Sequence, residues 1–389
     1  MMRSFCAYVP TRILFGSGMV KELHKQSLPG KKAMIVISNG KSTRTNGALA
    51  TVEAELKQAG VDTVLFDRVE ANPLKSTVMA GAAFACEQGC DFLVAIGGGS
   101  VMDAAKVMAF MATNPGDVWD YIAGGTGKAW PRQSAPLPLV CITTTAGTGS
   151  EADAYGVISN DETHEKIGFF ADFPVLSVVD PELMTSVPPQ FTAYQGFDAL
   201  FHSTECYISS TANAMSDMYA LTAIENVARY LARAVADGND IEAREHVAFG
   251  NTLSGVVMTL SSCTAEHSLE HAMSAYHHSL PHGAGLIMIS KAFYEYFIER
   301  HACDERFVRM AQAMGMADAS RPEDFVTALV RLQEACGVAG LRMSDYGIQP
   351  SEFDTLATNA RETMGGLFLG NPCELDHAGC VEILRKSYK

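Results

Sequence analysis

The first half of the chain alternates short apolar runs with segments whose apolar residues recur every three to four positions. The runs at 32–38, 63–66, 91–96 and 139–143 predict β-strands, and the periodic segments at 48–59, 78–88 and 101–112 predict helices. Strands that alternate with helices are typical of a largely parallel sheet. We therefore expect an N-terminal α/β domain.

The pattern changes after residue 187. Beyond the Pro188-Pro189 pair, long helical periodicities replace the strand-like runs, and a helix is expected over 192–209 with Thr192 as its N-cap. Because paired prolines interrupt helices and strands, we place a domain boundary there. The expected architecture has two domains, an α/β domain over 1–187 with a mostly parallel sheet and an all-α domain over 188–389.

Composition narrows the class of protein further. The 389 residues are 48% hydrophobic and 19% charged, which supports a sizeable core and argues against disorder. The net charge of −15 argues against general nucleic-acid binding, which depends on neutralising phosphates. No apolar run approaches the ~20 residues of a membrane helix, and residues 1–12 lack the apolar stretch of a secretory signal. With ten scattered cysteines expected as reduced, mostly buried thiols, we expect a cytoplasmic protein without nucleic-acid or membrane partners.

Two glycine-rich turns follow predicted strands. Gly97, Gly98, Gly99 and Ser100 precede a helix, where glycines let a pyrophosphate approach the backbone and helix N–H groups complete an anion site. The segment TTTAGTGSE at 143–151 follows the next strand and offers hydroxyl groups to phosphate and ribose. Either turn alone also fits an ordinary tight or self-capping loop, and the pattern G-x-G-x-x-G is absent. Together the two turns favour a dinucleotide ligand.

Histidines and one aspartate have the spacing of a metal site. Asp198 and His202 lie four residues apart on a predicted helix and therefore share one face. Five of the eleven histidines follow within 267–282, namely His267, His271, His277, His278 and His282. One carboxylate with several imidazoles suits Fe²⁺ or Zn²⁺. The alternative is a hydrogen-bonded helix pair with solvated histidines.

Several motifs in this order resemble the iron-containing (group III) alcohol dehydrogenases over almost the whole chain. GGGS at 97–100, with Asp103 and Lys106, is similar to the family's GGGSxxDxAK motif, and 144–151 to its TTAGTGSE motif. Residues 10–18, 180–183, 196–202 and 281–283 resemble further family segments. The resemblance implies a dehydroquinate synthase-like fold, with a metal held between an NAD(P)-binding α/β domain and a helical domain.

Carried over by motif, the resemblance implies Asp198, His202, His267 and His282 as ligands of Fe²⁺, or of Zn²⁺. It implies a place near the nicotinamide for His271, as a relay for the alcohol proton. His277 and His278 fall in a variable stretch and are expected at the pocket rim or surface. The cofactor-binding positions are Ser38, Asn39, Gly40, Asn72, Gly97, Gly98, Gly99, Ser100, Asp103, Thr144, Thr145, Thr148, Lys166 and Leu183.

Two departures from the family pattern bear on specificity. Ser38 stands where many NAD-using members carry an aspartate that hydrogen-bonds the adenosine ribose. Without that carboxylate, Lys41 or Arg44 could pair with a 2′-phosphate, so NAD(P)H is expected with a slight preference for NADP(H). The second departure, Asp153-Ala154-Tyr155, changes a pocket wall that is commonly polar Thr or Asn.

The implied activity is hydride transfer between a nicotinamide and a short primary alcohol or small diol and its aldehyde, in a homodimer or larger homo-oligomer. One alternative is a glycerol-type secondary alcohol dehydrogenase, usually with zinc. Others are a dehydroquinate-synthase-like lyase and a non-catalytic metal- or nucleotide-binding protein. The TTAGTGSE and GFDALFHSTE segments and the intact four-ligand set favour the dehydrogenase.

Overall fold

The computed structural model describes residues 3–389, and a six-stranded parallel sheet organises their N-terminal part. The six strands are β1 Arg12–Phe15, β2 Lys32–Ser38, β3 Asp62–Val69, β4 Phe92–Gly97, β5 Leu139–Thr143 and β8 Leu176–Val179. Their order across the sheet is β1-β8-β5-β4-β2-β3, with every pair parallel. The parallel α/β sheet expected from the sequence is confirmed.

Alternate residues of the central strands pack into two separate cores. In β2, Met34 and Val36 join the core on one face, whereas Ala33, Ile35 and Ile37 join the core on the other. Because helices cover both faces, the strand is apolar at almost every position, which explains its continuous apolar run. The helices of this part are α1 Ser42–Thr45, α2 Ala48–Gln58, α3 Lys75–Glu87, α4 Gly99–Met111 and α5 Val118–Tyr121.

A two-stranded antiparallel hairpin, which the sequence analysis did not predict, lies outside this sheet. Its strands are β6 Tyr155–Asn160 and β7 Glu165–Phe170. β6 packs against α4, and β7 packs against the helical part of the chain. The hairpin therefore stands between the sheet and the helices, where it can contribute to a cavity wall.

From residue 189 onward the described chain is helical. Its helices are α6 Pro189–Ile208, α7 Ala214–Ala236, α8 Ile241–Leu260, α9 Ala265–Tyr276, α10 His282–Ile298, α11 Asp304–Ala313, α12 Glu323–Ala335, α13 Phe353–Thr363, α14 Gly365–Phe368 and α15 His377–Ser387. This confirms the two-part α/β and all-α architecture, while the bounds 1–187 and 188–389 stay a prediction. Within residues 3–389, no helix is both long and apolar enough to cross a membrane.

The prediction of Thr192 as an N-cap is wrong, because α6 begins at Pro189. Proline suits the first turn of a helix, where its missing N–H has no intrahelical partner to lose. The Pro188-Pro189 pair therefore starts the helix. Thr192 lies within the first turn, and its hydroxyl accepts a hydrogen bond from Arg244 Nη1 at 2.9 Å.

The segment after β5 joins the two parts through buried polar contacts. Glu151 Oε1 accepts hydrogen bonds from Asn251 Nδ2 at 2.8 Å and Thr252 Oγ1 at 2.7 Å, both on α8. Asn251 Oδ1 in turn accepts from the Gly149 amide at 2.8 Å. Glu151 Oε2 is buried without a hydrogen-bond partner among the described residues. This side chain is thus fixed at the junction but incompletely paired.

Glu151→Gln is expected to stabilise the protein at alkaline pH and to leave it unchanged at acid pH. Burial raises the pKa of Glu151 from 4.5 to about 7, so the folded protein holds a proton that the unfolded chain releases. The free energy of unfolding of the wild type therefore decreases as the pH rises from 4.5 to about 7, whereas the neutral amide of the variant does not titrate. Above pH 7 the variant should gain about 3 kcal/mol, measured from urea midpoints across pH. The exposed Glu162→Gln serves as control, and a pH-independent difference for Glu151→Gln would refute this explanation.

Candidate active site

The register between β4 and β5 brings the two glycine-rich turns together. Gly97 at the end of β4 lies opposite Thr143 at the end of β5, and the Thr144 amide donates to Gly97 O at 3.0 Å. Open α/β sheets bind ligands at the carboxyl ends of their strands. Helix α4 begins at Gly99, so its unpaired amides open at the same edge. This arrangement is typical of anion-binding sites.

Gly98 and Gly99 are required by the close approach of these two turns. A Cβ on Gly98 would lie 2.8 Å from Thr145 Oγ1, and a Cβ on Gly99 would overlap the Thr148 side chain. Both glycines lack a positive φ, so space rather than backbone conformation is the constraint. A side chain at either position would push the TTAGTGSE segment away from the start of α4.

A cleft of about 600 Å³, named the dinucleotide cleft after its expected ligand, begins at these turns and reaches the helical part. Its lining includes nine of the predicted cofactor residues, namely Ser38, Asn72, Gly97, Gly98, Gly99, Ser100, Thr144, Thr145 and Thr148. The opposite wall includes Asp198 and His282, two of the predicted metal ligands. The expected dinucleotide and metal positions are therefore continuous.

Four of the other predicted cofactor residues lie beside or beneath this cleft. The Asn39 amide donates to Val69 O at 2.8 Å, and Gly40 follows it next to Ser38. Leu183 packs against the core under the sheet. The Asp103 carboxylate accepts from Ser150 Oγ at 2.6 Å, and its burial raises its pKa to about 6. Asp103 thus holds the TTAGTGSE segment in place and borders a second cavity.

Lys166, on β7, is the fifth, and it lies among the predicted metal ligands. Its Nζ donates to Ser274 Oγ at 2.9 Å and is 3.4 Å from both Glu270 Oε2 and His282 Nδ1. The hairpin therefore delivers a buried cation next to the imidazole cluster. This position is distant in sequence from the glycine turns, and only the family resemblance pointed to it.

Three imidazole rings converge on one oxygen, Asp198 Oδ1. His267 Nε2 and His282 Nε2 each lie 3.4 Å from it, and His202 Nδ1 lies 3.6 Å from it. Asp198 and His202 share a face of α6, His267 is in the first turn of α9, and His282 opens α10. The structure brings all four predicted ligands together, and this donor set fits Fe²⁺ or Zn²⁺.

Two buried glutamates, which the sequence analysis missed, hold the outer nitrogens of these rings. Glu205 accepts a hydrogen bond from His267 Nδ1, and Glu270 accepts one from His282 Nδ1. Such carboxylates fix the ring orientation and turn Nε2 towards a metal. Each glutamate lies three residues after a predicted ligand, Glu205 after His202 and Glu270 after His267. That spacing on one helix face was the available signal.

Burial and neighbouring charges shift the pKa values of the cluster in both directions. Burial alone would raise the pKa of Asp198, but the neighbouring His202 and His282 bring it well below its usual range. Burial lowers the pKa of His202 to about 3. Burial, together with the nearby Lys166, also lowers the pKa of His271 well below its usual range. Burial alone would lower the pKa of His267 and His282 as well, but the adjacent carboxylates of Glu205 and Glu270 raise both, that of His267 well above its usual range. A metal that binds these two rings would therefore displace their protons, whereas His202 and the Asp198 carboxylate are already in the forms that coordinate a metal.

His271 lies beside the four-residue cluster rather than within it. Its Nδ1 is 2.8 Å from Met364 Sδ, and its ring centroid is 5.3 Å from that of His282. His277 Nε2 lies 3.1 Å from Glu352, and His278 borders the dinucleotide cleft. His278 thus lies at the rim of this cleft, whereas His277 is partly buried against Glu352 and is part of neither cavity lining.

A second cavity, of about 320 Å³, adjoins the cluster and reaches His202, His267, His271 and His282. It shares Asn72, Ser100, Thr148 and His282 with the dinucleotide cleft. Its other walls include Asp153, Tyr155, Val157, Met258, Cys263, Met364 and Leu367. The Asp153 carboxylate pairs with the buried Lys106 ammonium at 2.7 Å. The sequence departure at 153–155 therefore does form part of a pocket wall.

Known proteins are similar to this chain in both sequence and architecture. The family model for iron-containing alcohol dehydrogenase matches residues 10–181, and that for the C-terminal part of the same family matches residues 192–388. Alcohol dehydrogenase 4 of Schizosaccharomyces pombe is 32% identical over 95% of this chain and 86% of its own length. The 1,3-propanediol dehydrogenase of Citrobacter freundii is 31% identical over 99% of each chain. The choline dehydrogenase of Bacillus subtilis is 35% identical over 98% of this chain and 94% of its own.

Solved structures agree with these sequence matches. An archaeal halo-thermophilic alcohol dehydrogenase from a Red Sea brine pool superposes with a TM-score of 0.94 and 34% identity, covering 100% of both chains. A 1,3-propanediol oxidoreductase superposes with a TM-score of 0.90 and 31% identity, covering 99% of this chain and 100% of its own. The chain therefore belongs to the iron-containing alcohol dehydrogenase family and is an oxidoreductase of that family.

Proposed function

We propose that the enzyme interconverts a short primary alcohol or small diol with its aldehyde. In the oxidative direction, a hydride passes from the alcohol carbon to the oxidised nicotinamide, and the hydroxyl proton is released. The convergence of His267, His282 and His202 on Asp198, where the dinucleotide cleft meets the 320 Å³ cavity, carries this proposal. A substrate in that cavity would have its oxygen beside the cluster and its carbon facing the cleft.

The mechanism assigns separate tasks to the residues of this chain. Asp198, His202, His267 and His282 would hold Fe²⁺ or Zn²⁺, which supplies Lewis-acid polarisation of the substrate oxygen. Glu205 and Glu270 hold two of these rings in a fixed orientation. The glycine-rich turns position the dinucleotide, and the hydride chemistry belongs to the nicotinamide.

His271 is the proposed proton relay. Burial lowers the pKa of its imidazole, which is therefore neutral and can pass a proton on by accepting at one ring nitrogen while the other releases one. Lys166 supplies a buried N–H donor beside His282, and we propose that it contacts the nicotinamide ribose. Ser38, Asn39, Gly40 and Asn72 are proposed to line the cofactor site.

The size of the cavity supports a small substrate. About 320 Å³ lies at the lower end of the volumes of typical small-molecule sites. The walls around the imidazoles include four apolar side chains, those of Val157, Met258, Met364 and Leu367. A short primary alcohol or diol matches this combination. A glycerol-type secondary alcohol is the alternative that a substrate panel distinguishes.

Use of NADP(H) alongside NAD(H) is proposed from the environment of Ser38. The hydroxyl at this position removes the repulsion that an aspartate would exert on a 2′-phosphate. Two observations limit that preference. The Arg44 guanidinium is paired with Asp67 at 2.5 Å, and Glu70 lies in the same cleft as Ser38. We therefore expect both cofactors to be used, with only a slight preference for NADP(H).

Oxidation of NADH and of NADPH with a panel of short aldehydes tests the function and the cofactor together. Turnover with C2–C4 aldehydes is expected with both cofactors, and Ser38→Asp should lower kcat/KM for NADPH relative to NADH by about 100-fold, through charge repulsion. Ser27→Asp adds the same charge at an exposed position elsewhere and should change neither value. Turnover confined to secondary alcohols or ketones would reject the proposed substrate class. An unchanged cofactor ratio in Ser38→Asp would reject the role of residue 38.

A homodimer or larger homo-oligomer, acting in the cytoplasm, completes the proposal. An exposed aromatic group supports association, because Tyr8 is 68% and Phe170 54% exposed, and both rings pack edge-on against Phe173. All ten cysteines are free, which suits a reducing compartment.

A further inference from the structure

The wall of the metal site contains a thiol that neither the sequence motifs nor the proposed mechanism uses. Cys263 lies in the short connection between α8 and α9, and it is buried. Its Sγ and one ring nitrogen each of His202 and His267 lie within 4.8 Å of one another. The same residue also lines the 320 Å³ cavity. A sulfur donor therefore faces two of the proposed metal ligands.

The backbone that carries this thiol is firmly held. The Thr264 amide and hydroxyl donate to Glu205 at 2.8 and 2.7 Å, and the Ala265 amide donates to Asn371 Oδ1 at 3.0 Å. Glu205 also holds His267. The same carboxylate thus fixes the position of a ligand ring and of the segment next to Cys263. Supporting hydrogen bonds of this kind hold the residues of a binding site in place.

A second thiol lies nearby but occupies a different position. Cys206 Sγ, on α6, is 3.9 Å from Cys263 Sγ, nearly twice the ~2.05 Å of a disulfide bond. Cys263 borders the cavity, and the cavity lining does not include Cys206. The two thiols are therefore a natural pair for comparison, since both are buried and only one faces the metal site.

We propose that Cys263 is a further ligand of the metal in this enzyme, adding a thiolate to the carboxylate and three imidazoles. The inference rests on the metal site of the proposed function. Coordination would release the thiol proton to solvent and requires no oxidant or reductant, because the sulfur keeps its oxidation state. Thiolate is a soft donor that favours Zn²⁺ over Fe²⁺. Cys263→Ser is accordingly expected to lower the ratio of Zn²⁺ to Fe²⁺ affinity by about tenfold or more.

Loading the metal-free protein with Co²⁺ tests the proposal without relying on activity. Visible d–d absorption reports that Co²⁺ occupies the site, and a near-ultraviolet sulfur-to-metal charge-transfer band reports a thiolate ligand. Wild type and Cys206→Ser should show both signals. Cys263→Ser and Cys263→Ala should keep the d–d absorption and lose the charge-transfer band.

The outcomes separate this inference from the metal site itself. Wild-type d–d absorption without a charge-transfer band would overturn the thiolate ligand and leave the four-residue site intact. A band that persists in Cys263→Ser, or that disappears in Cys206→Ser alone, would also overturn it. A Cys206–Cys263 disulfide found by mass spectrometry in the Co²⁺-loaded protein would have the same consequence. Absence of d–d absorption in wild type would overturn the metal site, and the inference about Cys263 with it.

Discussion

Asp198→Asn is expected to abolish stable metal binding and to lower turnover about 10³-fold or more, equivalent to about 4 kcal/mol in the barrier. Asp198 Oδ1 is the point on which three imidazoles converge, and its carboxylate provides the negative charge among the four proposed ligands. The amide keeps the shape of the side chain but removes that charge. Metal content after desalting and steady-state oxidation of NADH with a short aldehyde measure the two effects.

The control for this substitution is Asp161→Asn, which removes the same charge from an exposed turn. It should retain wild-type metal content and activity. If Asp198→Asn instead keeps stoichiometric metal and full activity, the Asp198 cluster is not the catalytic metal site.

Gly99→Ala is expected to weaken dinucleotide binding about 100-fold or more while metal binding stays normal. An added Cβ would overlap Thr148 and lie 2.9 Å from that residue's own Cβ, so the two glycine-rich turns must separate. Separation removes the anion site formed at the start of α4. Cofactor dissociation constants from nicotinamide fluorescence, together with metal content, measure these effects.

Gly340→Ala provides the matched control, since a Cβ added there meets no atom within 4 Å. It should bind cofactor like the wild type. Gly99→Ala combined with Thr148→Ala should recover part of the lost affinity, because the double variant removes Cγ2 and Oγ1, the two atoms of Thr148 nearest the added Cβ. Wild-type cofactor affinity in Gly99→Ala would show that the turns do not form the binding site.

Long apolar and periodic segments predicted most of the fold. The buried strands β2, β4 and β5 are continuous apolar runs because both of their faces are covered. The hairpin β6–β7 was not predicted, since Glu165 and Lys166 make polar contacts inside the protein and break the apolar pattern of a strand. The strand β8, Leu176–Val179, was missed for a different reason, because a run of 4 residues is too short to show a clear pattern.

The candidate site shows the same division between local and long-range information. Spacing placed Asp198 and His202 on one face of α6, but their meeting with His267 and His282 depends on packing between helices. Family motifs supplied that step. Glu270 and Cys263 belong to none of the motifs, and Glu205 ends the GFDALFHSTE segment without its role being evident there. Each role depends on a contact with a residue distant in sequence or on another element.

Removal and restoration of the metal in the wild-type enzyme test the central claim most directly. The protein is stripped with a chelator, assayed by NADH oxidation with a short aldehyde, and then titrated anaerobically with Fe²⁺ or Zn²⁺. The structure predicts that activity disappears with the metal and returns in proportion to the metal bound, up to one ion per chain. Full turnover by metal-free protein would contradict the proposed mechanism.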